Sequence, residues 1–162
     1  MYMGITRPNQ LNIFDIAAKL DVYVEYWDRG SVALDSGDET TIFLDENLSP
    51  QSQWLQFGHE LCHSKRHAGD QTVLPLDFIK YQEWDAHSFS LHFCVPTFML
   101  ERLDLPYDIY KATRLVQKTF NVTAEVAVKR LKQLENRKQE EHALNAIKRK
   151  CTERDRILNL WY

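Results

Sequence analysis

The sequence predicts an α+β fold, with a small antiparallel sheet near the N-terminus, a helical core and a helical C-terminal lobe. Three observations support this fold class. Runs of β-branched and aromatic residues are concentrated before Asp45, whereas most of the chain after Ser49 shows the apolar spacing of helices. Hydrophobic residues make up 44% of the 162 residues, which is enough to build a buried core.

The N-terminal part combines one helix with short strands. Asn12 is a capping residue, and the apolar residues after it recur at helical spacing as far as Leu20. Glycine and polar residues mark the turns that follow. The predicted strands are Val22–Trp27, Val32–Leu34 and Thr41–Leu44.

The first helix of the core has a clear start. Serine at position 49 caps free N–H groups, and proline at position 50 suits the first helical turn. We expect this helix to reach about Arg66, with Gly69 as its stop and a loop to Pro75. The later predicted helices are Asp77–Phe93, Thr97–Leu103, Tyr107–Phe120, one from Thr123 through Leu134, and a charged one over Arg137–Leu160.

The charge of the chain is uneven, and it suggests a division into residues 1–106 and 107–162. The first part carries 7 basic and 16 acidic residues, and the second carries 13 and 7. We expect a core in the first part and a basic helical extension in the second, which is either continuous with the core or separate from it. The basic extension either meets an anionic partner such as DNA or folds back on the acidic part.

Composition also bears on the compartment. No apolar run approaches the roughly 18 residues of a membrane span. The first ten residues lack the pattern of a secretory signal, and three widely spaced cysteines form no disulfide framework. The expectation is a reduced, cytoplasmic protein with no membrane contact.

The segment His59–His63 reads H-E-L-C-H and lies within the predicted helix. Histidines four residues apart share one helix face, so that both imidazoles can bind one zinc ion. Glu60 then lies beside the metal, where a carboxylate can accept a proton from water. The pattern predicts a zinc-dependent hydrolase with His59 and His63 as ligands and Glu60 as the general base.

A catalytic zinc site needs a third protein ligand, and the next helix supplies three candidates. Glu83 and His87 are four residues apart and share one face of that helix. Asp85 lies about 200° around the helix axis from Glu83, so both cannot point at one metal. The spacing alone leaves Glu83, Asp85 and His87 open.

With these motifs in place, the chain resembles the ImmA/IrrE family of metallo-endopeptidases. The resemblance rests on H-E-L-C-H, a following His67, the segment from Glu83 to Ser90, and the closing Cys94-Val95-Pro96. It covers about Leu11 to Pro106. It implies a zincin-like core, built from the helix of the histidine motif and the helix that carries the glutamate.

The resemblance implies roles for single residues. It favours Glu83 as the third ligand, with His87 in support of the site and His67 close to it. The chain departs from the family pattern at four positions. Cys62 replaces glycine, Asp85 replaces Glu or Gln, His87 replaces Asn or Asp, and Ser90 replaces alanine.

The resemblance also implies a function and a partner. The family's activity would be site-specific cleavage of a helix-turn-helix repressor of a phage or mobile element, which makes the protein an anti-repressor. Two alternatives are a zinc-binding regulatory protein that binds a repressor without cleaving it, and a protein that binds DNA through residues 107–162. The segment Phe120–Leu131 looks like half of a helix-turn-helix, but a helical hairpin explains it more simply.

Overall fold

The computed structural model describes residues 4–37, 39–67 and 74–158, with side chains as far as Arg149. The α+β class is confirmed, and the predicted loop from Gly69 lies mostly outside the described residues. After a short 3-10 turn at Pro8–Gln10, the elements are α1 (Ile13–Lys19), β1 (Val22–Trp27), β2 (Val32–Ser36), β3 (Glu39–Asp45), α2 (Pro50–Arg66), α3 (Leu76–Cys94), α4 (Thr97–Leu100), α5 (Ile109–Phe120) and α6 (Ala124–Leu158).

The sheet has three strands in the order β1-β3-β2. β2 and β3 form the expected antiparallel pair, with Ala33 opposite Ile42. β1 pairs with β3 in parallel, with Val24 opposite Ile42, so the prediction of a purely antiparallel sheet is wrong at β1. After β1 the chain crosses to the far edge as β2, and the turn at Gly37 (φ +66°) returns it to the middle as β3.

The middle strand carries the face on which the helices pack. Alternate residues of β3 (Thr40, Ile42 and Leu44) are buried, as the period of two in a half-buried strand requires. Ile42 and Leu44 join the apolar face of α2, including Phe57 and Leu61, in one hydrophobic core. α2 therefore lies between the sheet and α3.

The two core helices approach closely at Gly58. A Cβ atom at this position would lie 2.9 Å from Cδ1 of Phe93 and 3.4 Å from Cα of Ser90. Ser90 is itself fully buried. The contact between α2 and α3 therefore depends on a glycine on one helix and a small residue on the other.

The C-terminal part differs from the prediction in one respect. α6 is one helix of 35 residues, about 52 Å long, and the predicted break before Arg137 is absent. No proline or glycine interrupts the sequence there, so nothing stops the helix. Residues 135–149 are exposed, including Leu144 and Ile147.

One basic residue of α6 belongs to the core. Arg130 is almost fully buried, and it donates from Nε to the carbonyl of Val95 (3.0 Å) and from Nη2 to Oγ1 of Thr97 (2.8 Å). Burial, with a smaller contribution from Arg137, lowers the pKa of Arg130 to about 10. Arg130 thus links α6 to the junction of α3 and α4 through these hydrogen bonds.

Within the described residues no helix is both long and apolar enough to span a membrane.

We expect Gly58→Val to lower the free energy of unfolding by about 1–3 kcal/mol, because the added carbons overpack the contact with Phe93. Denaturant unfolding measures this loss. Gly30→Val is the matched control, since nothing lies within 4 Å of a Cβ atom at Gly30, and its effect should stay within about 0.5 kcal/mol. Equal effects at both positions would contradict the close approach.

Candidate metal centre

The histidine motif lies in the C-terminal half of α2. The helix begins as predicted, with the hydroxyl of Ser49 accepting the N–H of Ser52 (3.2 Å) and Pro50 as the first helical residue. It ends at Arg66, and His67 is the capping residue with extended backbone. The buried face of α2 fixes the rotation of the helix, which directs His59 and His63 towards α3.

The two histidines and one glutamate of α3 converge. The Nε2 atoms of His59 and His63 are 3.0 Å apart. The carboxylate of Glu83 reaches both, with Oε2 3.3 Å from Nε2 of His59 and Oε1 3.3 Å from Nε2 of His63. Glu83, which follows His63 by 20 positions in the sequence, therefore joins the two histidines in one group of possible ligand atoms.

These distances suit a zinc ion. Zinc binds imidazole nitrogen and carboxylate oxygen at about 2.0–2.2 Å with tetrahedral geometry, so two such ligands lie roughly 3.3–3.5 Å from each other. The two separations from Glu83 to the histidines, 3.3 and 3.3 Å, fall in this range, and the two histidine nitrogens lie slightly closer together, at 3.0 Å. Two imidazoles and one carboxylate are also the donor set of many catalytic zinc sites.

The ionisation of the histidines favours metal binding. Burial lowers the pKa of His59 and the pKa of His63 from their ordinary values, although Glu83 opposes the shift in both. Both imidazoles are therefore neutral at pH 7. A neutral imidazole has the lone pair that a metal ligand needs.

Glu60 has a different environment from Glu83. Its side chain is buried, and Oε2 accepts the backbone N–H of Ala33 in β2 (3.1 Å). Burial raises the pKa of Glu60 to about 7, the Ala33 N–H opposes this rise, and Glu83 adds to it. Glu83 is half exposed. With a pKa near 7, Glu60 can transfer protons near neutral pH, whereas Glu83 contacts the two imidazoles.

A second group of side chains lies behind His63. Nδ1 of His67 is 3.0 Å from Nδ1 of His63, and Nε2 of His67 is 3.1 Å from Oδ2 of Asp85. The Cys62 thiol donates to the same oxygen of Asp85 (3.7 Å), and Arg66 forms an ion pair with Oδ1 (3.4 Å).

Cys62, His67 and Asp85 also lie close enough together to be considered as metal ligands. Two observations argue against that role. Burial, with the charge of Asp85, raises the pKa of the Cys62 thiol to about 11, and the protonated thiol is already engaged as a donor to Asp85. The guanidinium of Arg66 already compensates the charge of Asp85. The group is better described as a hydrogen-bonded support behind His63.

The structure separates the three candidates for the third ligand. Glu83 contacts both histidines of the motif, whereas Asp85 contacts His67 and Cys62. Nε2 of His87 lies 3.3 Å from Nζ of Lys129 in α6. Of the three, only Glu83 lies with His59 and His63 in a group of ligand atoms.

Several contacts have no counterpart in the sequence analysis. The N–H of Ala33 reaches Glu60 from 27 residues away, and no local signal could have indicated it. An exposed row of aromatic residues on α3 could have been found from spacing. Phe78, Tyr81 and Trp84 recur every three residues on the side of α3 away from its buried residues, with neighbouring ring centroids 6.4 and 6.3 Å apart.

Comparison with known proteins agrees with this geometry. The chain is 40% identical over 136 residues to the phage-like element PBSX protein XkdA of Bacillus subtilis (strain 168), which covers 84% of this chain and 69% of that protein. It is 38% identical over 129 residues to the uncharacterized protein YqaB of the same strain, which covers 80% and 75%. A model of the peptidase family M78, described as the IrrE N-terminal-like domain, matches residues 10–132. The chain therefore belongs to the IrrE N-terminal-like family, a group of metallopeptidases.

Proposed function

We propose that the protein is a zinc-dependent metallo-endopeptidase, in which His59, His63 and Glu83 bind the metal and Glu60 is the general base. The observation that carries the proposal is the convergence of the three ligand groups at 3.0–3.3 Å. The buried carboxylate of Glu60 directly follows the first of these ligands in the helix.

Zinc, when bound, would supply Lewis acidity that polarises the scissile carbonyl and makes water more acidic. The chain's own residues perform the remaining tasks. His59 and His63 offer neutral nitrogen ligands from one rigid helix, and Glu83 adds the negative charge that stabilises a dication. The half-exposed position of Glu83 leaves the group open to solvent on its side.

Glu60 would move the proton in this reaction. A carboxylate whose pKa is close to the working pH can accept a proton from water and later give it to the departing amine. The N–H of Ala33 donates to Oε2 of Glu60 and so orients the carboxylate. Oε1 is then the oxygen that would accept and release the proton. Burial among apolar side chains raises the pKa of Glu60 far enough for both steps.

One surface beside the group, the edge of the sheet, suits a polypeptide substrate. β2 is an edge strand of the described sheet, and Ala33 turns its N–H outward from β3 to reach Glu60. An extended peptide could pair with such an edge through backbone hydrogen bonds.

For the substrate we propose a helix-turn-helix repressor of a phage or mobile element, cleaved in the cytoplasm. The resemblance stated from the motifs supports this, and so does a relative whose name places it in a phage-like element. A direct test is incubation of the zinc-loaded protein with the repressor of the same element, followed by mass spectrometry of the fragments. An intact repressor would contradict the substrate assignment.

We expect Glu60→Gln to lower the rate of peptide hydrolysis by about 10²–10⁴-fold, because the amide cannot accept the proton from water. Zinc content should stay unchanged, since Glu60 is not one of the proposed ligands. Cleavage of the repressor, measured as initial rates at fixed zinc, tests the change.

Glu25→Gln is the matched control for this variant, because Glu25 is an exposed residue of β1 and the chemical change is the same. Its rate should equal that of the native chain. The experiment also separates the alternative of a non-catalytic regulatory protein. If Glu60→Gln still abolishes repressor function in cells, binding and not proteolysis is the activity.

The native chain should bind about one equivalent of zinc, and His63→Ala and Glu83→Ala should each lose most of it. Elemental analysis after dialysis against buffer gives the content. His87→Ala is the control, because its imidazole lies against Lys129, and it should retain the metal. Equal zinc in all four proteins would overturn the proposed ligands.

A further inference from the structure

Three side chains form a line of hydrogen bonds that ends at a proposed metal ligand. Asp85 contacts Nε2 of His67, and Nδ1 of His67 contacts Nδ1 of His63. Both supporting side chains are largely buried, with 9% of His67 and 17% of Asp85 exposed. His63 presents its other nitrogen, Nε2, to His59 and Glu83.

With Asp85 ionised and both imidazoles neutral, the chemistry of the three groups fixes the direction of each hydrogen bond. An ionised carboxylate only accepts, so Nε2 of His67 must carry the proton that it shares with Asp85. In a neutral imidazole the other nitrogen then has a lone pair, so Nδ1 of His67 accepts. His63 must donate to it from Nδ1, and its own lone pair is left on Nε2.

Arg66 determines which oxygen of Asp85 takes part. Its Nη1 lies 3.4 Å from Oδ1, while Oδ2 receives both His67 and the Cys62 thiol. The carboxylate is therefore held from two sides, with one oxygen facing Arg66 and the other facing His67 and Cys62. This makes Asp85 a fixed acceptor for His67.

We propose that Asp85 is a positioning residue, which sets the tautomer of His67 and through it the tautomer of His63, so that Nε2 of His63 faces the metal with its lone pair. The inference rests on the proposed zinc site, but it concerns hydrogen bonds that exist in the metal-free chain. Partners of this kind orient histidine ligands, and their loss typically costs about 10–100-fold in metal affinity.

Asp85→Asn tests the idea with almost no change in size. Arg66 keeps the amide oxygen on its side, so the NH₂ group takes the place of Oδ2 and donates to His67. His67 then accepts at Nε2 and donates at Nδ1, which forces the proton of His63 onto Nε2. We expect zinc affinity, measured by competition with a chelating dye, to fall by about 10–100-fold.

The tautomers provide a readout that needs no metal and no activity. In the metal-free native chain, ¹⁵N shifts of the imidazoles should show a protonated Nδ1 on His63 and a protonated Nε2 on His67. In Asp85→Asn both assignments should reverse. A native spectrum with the His63 proton on Nε2 would overturn the proposal without any variant, and even if zinc did not bind.

Two further variants sharpen the test. Cys62→Ala removes a donor to the same carboxylate but leaves the line of histidines intact, so zinc affinity should change by less than about threefold. In Asp85→Asn combined with Arg66→Leu the amide is free to turn its oxygen to His67, and most of the affinity should return. A loss of zinc in Asp85→Asn without a change of tautomer would refute the inference.

Failure of this proposal and failure of the proposed function give different results. If the native chain binds no zinc, the metal site is wrong, whereas the imidazole shifts still decide the role of Asp85. If the native chain binds zinc and Asp85→Asn binds it equally with unchanged shifts, only the role of Asp85 is wrong. Circular dichroism of each variant verifies that the helices remain formed.

Discussion

The site depends on the close approach of α2 and α3. Its proposed ligands come from two helices, and Glu83 reaches both histidines only because the helices touch at Gly58, the residue before His59. A Cβ atom there would meet the ring of Phe93 at 2.9 Å. Since packed interiors respond to a single added carbon, position 58 controls the spacing of the ligands without contributing one. The apolar core of the chain is in this sense part of the proposed metal site.

The sheet packs against the side of α2 that faces away from α3. The N–H of Ala33 meets Glu60. Near the end of the helix, the hydroxyl of Ser64 and that of Thr40 in β3 both donate to Asp35 of β2. A buried carboxylate without a hydrogen-bond partner is costly, so the contact with Ala33 allows Glu60 to lie where proton transfer requires it. The edge strand therefore orients the proposed base and closes one side of the site.

Local patterns in the sequence predicted the parts of the structure that local interactions decide. Ser49 and Pro50 predicted the start of α2, and Gly69 as a stop predicted its end near Arg66, which is where the helix ends. The parallel pairing of β1 had no such signal, because it depends on a crossover between strands distant in sequence. The choice between Glu83 and Asp85 was also beyond reach from spacing, since it depends on how α3 is placed against α2. That placement is a tertiary property, which residue spacing along one helix does not contain. At the level of the sequence, only the resemblance to a family favoured Glu83.

Two departures from the family pattern lie in contact with each other. The resemblance places glycine at position 62 and a longer Glu or Gln at position 85, whereas this chain has Cys62 and the shorter Asp85. The Cys62 thiol is fully buried and donates to Oδ2 of Asp85 at 3.7 Å. The thiol added on α2 thus lies against a carboxylate that is one methylene shorter on α3. The shorter carboxylate still meets Arg66 and His67, and the support behind His63 survives both changes.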